Sequence, residues 1–373
     1  MEGQIVLDGH KMLWHRDRVE KWLKGEKFAP ISIEWALTRS CTYRCIYCYG
    51  QLQKHEVPTG KLDWEHIKYF LEDAAEIGVK SVNLTSDGES TCSPYFLKTV
   101  VYAKSLGLDV SCATNGYLLP ESPEDIVPLL KSLTYLRFNI SAASNKRYSE
   151  IHGVPLTHLQ TVIGRIAKYT GTKSMLGLPA TIGLQMVLLP QDEDQIIPLA
   201  RLGKDLGVDY LVIKHCSDDE FHTLGIDYQK YFDMIPTLER AEDLSDENYL
   251  VKAKWSKLLS GGIRRYTECY GPPFMLQFSG SGLVAPCGML FNDRYKDQFH
   301  LGNITQMRFK DIWNSDRYWN VMKYLGSKQF NPLSMCGTLC LQHKVNEYLW
   351  DLKQGTIELK NPTGIPPQHI NFP

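Results

Sequence analysis

Three cysteines stand at C-x3-C-x2-C spacing in Cys41-Thr-Tyr-Arg-Cys45-Ile-Tyr-Cys48, directly after an apolar run at residues 31–37. Thiolates are the usual protein ligands of iron–sulfur clusters, and a four-iron cubane closed entirely by protein takes four of them. This loop supplies three, which leaves one iron open to a ligand that is not protein. Two plainer readings use the same residues: a zinc knuckle completed from elsewhere, or three buried cysteines without metal. Zinc sites pair C-x2-4-C with a second Cys or His pair, and His55, the nearest histidine, is not spaced to complete one. A second set of cysteines comes late in the chain, Cys269, Cys287, Cys336 and Cys340. Four thiolates from a hairpin and a later loop would saturate a four-iron cluster or an all-cysteine zinc site, with His343 as a fallback ligand.

Composition narrows the setting. Ten cysteines in 373 residues, clustered rather than scattered, favour metal over disulfides in a reducing compartment, so the expected location is cytoplasmic. The net charge of −1 gives no overall pull toward nucleic acid or an anionic membrane. No apolar run approaches the length that spans a bilayer, and the N-terminus lacks a basic segment followed by an apolar one, so it does not read as a signal peptide.

The elements that must hold these cysteines alternate strand and helix. Strand-like runs are expected at 31–37, 80–85, 108–113, 135–140, 180–189 and 210–214. Helical stretches at 63–77, 95–106, 123–131, 146–169 and 192–206 separate them. Apolar runs with helix-length spacers call for parallel strands joined by crossover helices. A short amphipathic helix is expected from residues 16–24 within a preamble of residues 1–30, a helical bridge over 226–260, and a hairpin with a Gly-Ser-Gly turn inside 274–286. The proline-rich segment within 346–373 reads as an extended arm packed on the body.

The cysteine spacing, the aromatic Tyr47 one residue before the third thiol, and the strand before the loop resemble the radical S-adenosylmethionine (SAM) superfamily. The resemblance implies a partial (β/α)6 TIM-like barrel over 31–225, with chemistry at the C-terminal strand ends, and a [4Fe-4S] cluster whose open iron chelates SAM. It also implies reductive cleavage to a 5′-deoxyadenosyl radical and hydrogen abstraction from a substrate. Thr85-Ser86-Asp87-Gly88-Glu89 resembles the family's Gly-Gly-Glu motif, with Asp87 in place of the first glycine; Ser86, Gly88 and Glu89 are thereby expected at SAM. Asn115 in Thr-Asn-Gly, Asn139 and Ser141 on the fourth strand, and Gln185 on the fifth are expected there too. His152 reads as a capping or core histidine, and Cys92 and Cys112 as packing residues. The C-x12-G-x4-C element ending at Cys287, Gly302-Asn-Ile and Asp311-Ile-Trp resemble the SPASM/twitch extension over 261–345, which carries auxiliary clusters; four cysteines suit the shorter twitch form with one.

Cys216, at the end of the sixth strand, belongs to neither ligand set. It is a small buried hydrophobe, or a hydrogen-atom donor that quenches a substrate radical, as in some epimerases of this family. Beside it, Lys214 and His215 are expected to bind an anionic or hydroxylated substrate or to form surface ion pairs. The functional expectation is epimerisation of a small carbohydrate-like or amino-acid-derived substrate. Alcohol dehydrogenation, ribosomal-peptide modification and a non-enzymatic iron–sulfur or zinc protein are the alternatives. A one-electron donor such as flavodoxin or ferredoxin is the expected partner.

Overall fold

The structure, a computed structural model, describes residues 3–48, 50, 61–338 and 340–373. His55 lies outside the described residues. Six strands coincide with the expected runs: β1 (Ser32–Trp35), β2 (Ser81–Leu84), β3 (Asp109–Thr114), β4 (Leu133–Asn139), β5 (Thr181–Leu188) and β6 (Tyr210–His215). They pair in parallel in that order. The intervening helices start and stop where local chemistry requires. Asp63 caps Trp64–Ile77 by accepting from the His66 N–H, and Gly78 ends it in the left-handed region. Ser122 caps Pro123–Ser132, with proline at its first turn. The single helix expected over 146–169 is two: Gly153, at φ 62°, ends Asn145–His152, and a new helix runs His158–Leu176.

The stretch 226–260, read from sequence as a helical bridge, contains helices but also a seventh parallel strand, β7 (Leu250–Ala253), beside β6. Its four residues, Leu-Val-Lys-Ala, are too short a run to stand out from the charged sequence around it. The expected hairpin forms as β8 (Met275–Phe278) and β9 (Leu283–Ala285), antiparallel to each other. β8 also pairs in parallel with β1, and β10 (Gly302–Asn303) closes the edge, giving one sheet in the order β10-β9-β8-β1-β2-β3-β4-β5-β6-β7. The second cysteine region therefore extends the barrel sheet. Helix Phe309–Asn314 docks on Trp64–Ile77, where fully buried Asp73 accepts from Arg308 Nε at 3.0 Å and from the Lys310 N–H at 3.3 Å.

Strand residues alternate with a period of two. Ile33, Trp35, Val82, Leu84, Val110, Leu136, Phe138, Ile182, Leu184, Leu211 and Ile213 enter the core between sheet and helices. The opposite parity carries Glu34, Asn83, Ser111, Arg137, Asn139, Gln185 and Lys214. Parallel sheets covered on both faces read as unbroken apolar runs. A polar inner face instead marks a lumen.

The floor of that lumen is the extended arm. Residues 368–373 cross the N-terminal strand ends: Ser81 Oγ donates to the Asn371 carbonyl (2.5 Å), Asn371 Nδ2 donates to Asp109 (2.7 Å), and Thr181 Oγ1 meets His369 Nε2 (2.9 Å). Buried Lys11 and His15 hold the arm through the Phe372 and Ile370 carbonyls. Among the described residues no helix is long and apolar enough to cross a membrane.

Candidate active site

Of the expected cofactor residues for which the structure shows contacts, Tyr47, Glu89, Asn115, Asn139 and Ser141 lie at or just past the C-terminal strand ends, and Gln185 lies three residues inside β5. Cys41, Cys45 and Cys48 sit on the loop after β1, and all ten cysteines are thiols. The loop is held by two close backbone approaches. A Cβ on Gly88 would stand 1.9 Å from the Thr38 carbonyl oxygen, and one on Gly280 would stand 2.1 Å from the Thr38 carbonyl carbon. Thr38 and Arg39 are thus clamped between the loop after β2 and the hairpin turn, and only glycine fits on either side. Asp87 explains the departure from Gly-Gly-Glu: its carboxylate accepts from Ser279 Oγ (2.5 Å) and the Gly280 N–H (2.9 Å), with Arg39 Nε 3.4 Å away. It ties the glycine turn to the hairpin of the second cysteine region.

Glu89 is buried and accepts four hydrogen bonds, from the Thr91 N–H, Thr91 Oγ1, Thr114 Oγ1 and the Asn115 N–H. Three fall on Oε1 and one on Oε2, so one acceptor position on Oε2 remains for a ligand ammonium. Asn115 Nδ2 reaches Thr42 Oγ1 (3.1 Å) and approaches Cys41 Sγ (3.9 Å). On the facing side Gln185 Nε2 donates to Asn139 Oδ1 at 2.7 Å, and Ser141 Oγ donates to the Tyr47 hydroxyl (3.1 Å) while accepting from the Val187 N–H. Ser86 is exposed on the loop after β2.

His152 makes a contact that sequence reading missed. It is buried at the end of its helix, as a core histidine should be, yet its Nδ1 lies 3.1 Å from Cys45 Sγ. Its Nε2 accepts from the Ser141 N–H at 3.3 Å. Burial lowers its pKa to about 3, so the ring is neutral and its one proton must sit on Nδ1, aimed at the sulfur. The partners are 107 residues apart, a pairing that no local pattern announces.

Cys216 is buried among Val187 and Leu189, with Tyr47, Leu224 and Ile226 against them. Burial pushes its thiol up to about 12, so it stays protonated. A cleft of about 320 Å³ opens beside it, lined by Ile46, Leu189, Leu224, Ile226 and Lys230 among others. Of its neighbours, Lys214 lines the lumen, whereas His215 turns outward between Tyr228 and Tyr231, with ring centroids at 5.2 and 5.9 Å. Neither makes the surface ion pair considered from sequence.

The chain just past Cys216 meets the second cysteine set. The Asp218 N–H donates to Thr338 Oγ1 (2.8 Å), the Thr338 N–H returns a bond to the Asp218 carbonyl (3.0 Å), and the Tyr228 hydroxyl lies 2.5 Å from Thr338 Oγ1. Thr338 stands between Cys336 and Cys340. Arg264 lies beside Cys336 and Lys257 near Cys340; at Cys336 the guanidinium favours the thiolate against the larger, opposing effect of burial. The His343 ring nitrogens face the Tyr266 hydroxyl (3.2 Å) and Glu347 (3.6 Å) rather than the thiols.

Both donor sets suit clusters. In the first set Cys41, Cys45 and Cys48 lie close enough to act on one another's charges, and in the second Cys269, Cys287, Cys336 and Cys340 do so, so each set gathers its thiols around one place, as a cluster requires. Burial holds Cys41 up at about 11, so ligation must displace protons.

Known families match the chain in two places: the radical SAM superfamily over residues 35–202 and the SPASM iron–sulfur cluster-binding domain over residues 269–340. Similar proteins include the AdoMet-dependent heme synthase of Methanosarcina barkeri, 24% identical over 308 residues, 77% of this chain and 83% of that one. The tungsten-containing aldehyde ferredoxin oxidoreductase cofactor-modifying protein of Pyrococcus furiosus is 22% identical over 297 residues, 76% and 80% of the two chains. Among solved structures, Streptococcus suis SuiB bound to S-adenosylmethionine aligns with a TM-score of 0.63 at 17% identity, over 83% of this chain and 72% of that one. The anSMEcpe structure with bound AdoMet aligns at 0.56 and 15% identity, over 89% and 98%. With both domains present in N- to C-terminal order, the chain belongs to the radical SAM superfamily, as an enzyme that carries an SPASM iron–sulfur cluster-binding domain.

Proposed function

We propose that this enzyme acts on a small molecule held in the barrel lumen and returns a hydrogen atom to it from Cys216, so that the net outcome is epimerisation. When bound, the cluster on Cys41, Cys45 and Cys48 together with SAM supplies a 5′-deoxyadenosyl radical able to take a hydrogen atom from substrate. Tyr47, Ser86, Gly88, Glu89, Asn115, Asn139, Ser141 and Gln185 would hold and orient SAM, and the remaining acceptor position on Glu89 Oε2 could take a hydrogen bond from an ammonium group. Cys269, Cys287, Cys336 and Cys340 hold one auxiliary cluster, the twitch-like arrangement.

One observation carries the donor role: a protonated, buried thiol at the end of β6, packed with Tyr47 of the cluster loop. Only the S–H form can give up a hydrogen atom, and the surrounding apolar side chains exclude water from the donor. The sulfur radical left behind is restored by one electron and one proton. A donor of the flavodoxin or ferredoxin class supplies that electron, and the Asp218–Thr338 hydrogen bonds join the donor strand to the auxiliary cysteine loop. Relatives named as a heme synthase and a cofactor-modifying protein support the small-molecule reading.

The same Asp218–Thr338 contact favours a second reading, in which the substrate gives an electron to the auxiliary cluster and is dehydrogenated. The test is to incubate anaerobically reconstituted enzyme, SAM and dithionite in D2O with a fractionated small-molecule extract. Donation from Cys216 gives a product one mass unit heavier than its substrate, with deuterium on carbon. Cys216→Ala abolishes that product while 5′-deoxyadenosine still forms. A product two mass units lighter, made equally by both proteins, refutes the donor role and establishes dehydrogenation.

A further inference from the structure

We infer that the lower lumen is an oxyanion site, and that the substrate carries a carboxylate or phosphate seated among Arg137, Lys214 and Lys254. The inference depends on the proposed function only for the assumption that substrate enters the lumen.

Arg137 on β4, Lys214 on β6 and Lys254 just past β7 share the inward parity. Each lies deep in the fold yet still exposes part of its side chain, the mark of a group lining an internal space. Their charges act on one another across that space: Arg137 and Lys214 both reach Glu34 on β1, and Arg137 reaches Lys254.

Deep charged groups are normally paired. Here, among the described residues, neither lysine ammonium has a hydrogen-bond or ion-pair partner, and Arg137 Nε is buried without one. Two carboxylates oppose the three cations. Glu34 takes both of its hydrogen bonds from Asn83 Nδ2 at 3.0 Å, and burial raises its pKa to about 7, which weakens it as a counter-ion. Asp8 accepts from the N–H and hydroxyl of Ser256. The other nearby cations are accounted for: Lys11 donates to the Phe372 carbonyl, and Lys257 and Arg264 lie by the auxiliary cysteines. The lumen therefore keeps the Arg137 guanidinium beside two lysines whose ammonium forms burial and mutual repulsion disfavour until an anion joins them, and the Tyr210 hydroxyl, bonded to Arg137, fixes one wall of it.

Position along the strands supports a substrate role. Residues two apart on a strand share a face and stand about 7 Å apart along it. Lys214 is two residues before Cys216, and Arg137 two before Asn139. An anion anchored at this level sets the attached carbon skeleton one layer higher, level with the donor thiol and the SAM residues. The arm below closes the other exit, with His369 and Phe372 against Tyr135 at centroid distances of 5.1 and 5.0 Å.

The test titrates anaerobically reconstituted holoenzyme with inorganic phosphate and, separately, with malonate, by calorimetry at constant ionic strength. One-to-one binding of at least one probe is expected, and the preferred probe distinguishes phosphate from carboxylate. Lys214→Gln and Lys254→Gln should each weaken it tenfold or more, the scale of a lost charged hydrogen bond. Lys214→Arg, which keeps the charge, should stay within about threefold, and the exposed helix variant Lys131→Gln should bind as the parent does. Absence of binding for both probes overturns the proposal, as does binding indifferent to the lysine variants. So does an equal loss of SAM affinity in the variants, which would assign the cations to the carboxylate of SAM itself. Because the readout is probe binding, its failure is distinct from a failure of the proposed hydrogen-atom donation.

Discussion

The bond from His152 to Cys45 gives a quantitative expectation. A hydrogen bond to a ligand sulfur strengthens when the cluster gains an electron, because the sulfur becomes a better acceptor; it therefore raises the reduction potential. If the gain between oxidation states is about 1 kcal/mol, the scale of one net hydrogen bond, the shift is about 40 mV, since a tenfold change is 1.4 kcal/mol and 59 mV for a one-electron couple. His152→Phe fills similar space without the N–H, so the first cluster should titrate about 40 mV more negative in an anaerobic redox titration followed by electron paramagnetic resonance. The auxiliary cluster, held by other residues, is the internal reference and should not move. The ring is neutral down to a pH of about 3, so the difference between the two proteins should be flat from pH 6 to 8. A shift below about 10 mV, or an equal shift in both clusters, would refute the reasoning.

Three further outcomes follow from the geometry. Gly88→Ala forces a methyl group against the Thr38 carbonyl; iron after reconstitution should fall from about eight to about four per chain, as the first cluster is lost and the auxiliary one kept. Asp73→Ala leaves the Arg308 guanidinium without its buried partner. Because Arg308 is itself 39% exposed, the cost should be about 2 kcal/mol rather than the 3–5 of a fully buried pair, read as a lower unfolding midpoint. Glu34 is raised from 4.5 to about 7 by burial, so its native state favours the proton. That stability is complete below about pH 4.5 and is lost as the pH rises through about 7. Glu34→Gln should therefore gain about 2 kcal/mol on the parent between pH 5 and pH 8; a pH-independent difference in unfolding free energy would contradict the assignment.

Much of the architecture was legible because the relevant signals are local. Apolar runs and helix-length spacers located β1 to β6, and capping residues such as Asp63 and Ser122 mark helix starts in the sequence itself. The two domains were legible because cysteine spacing is itself a signal of the family. What escaped depends on contacts distant in sequence. β7 is a four-residue strand completed only by pairing with β6. His152 reads as an ordinary core residue until the fold brings it to Cys45. Asp87 looked like an imperfection in a glycine motif, because its purpose lies with Ser279 and Gly280, more than 190 residues away. Of the lumen cations, Lys214 stands out in the sequence as a candidate substrate ligand, Arg137 is the polar member of its strand's alternation, and Lys254 follows β7, the strand that escaped.

The arm beneath the lumen has a consequence for how the protein is made. Its contacts begin at residue 368, whereas β7 ends at Ala253, so all seven parallel strands leave the ribosome before their floor exists. At about 5–20 residues per second, the nascent barrel stays open at its base for roughly 6–23 s. Through that window water can enter around the buried cations from below, and an ion taken up early would be enclosed when the arm docks.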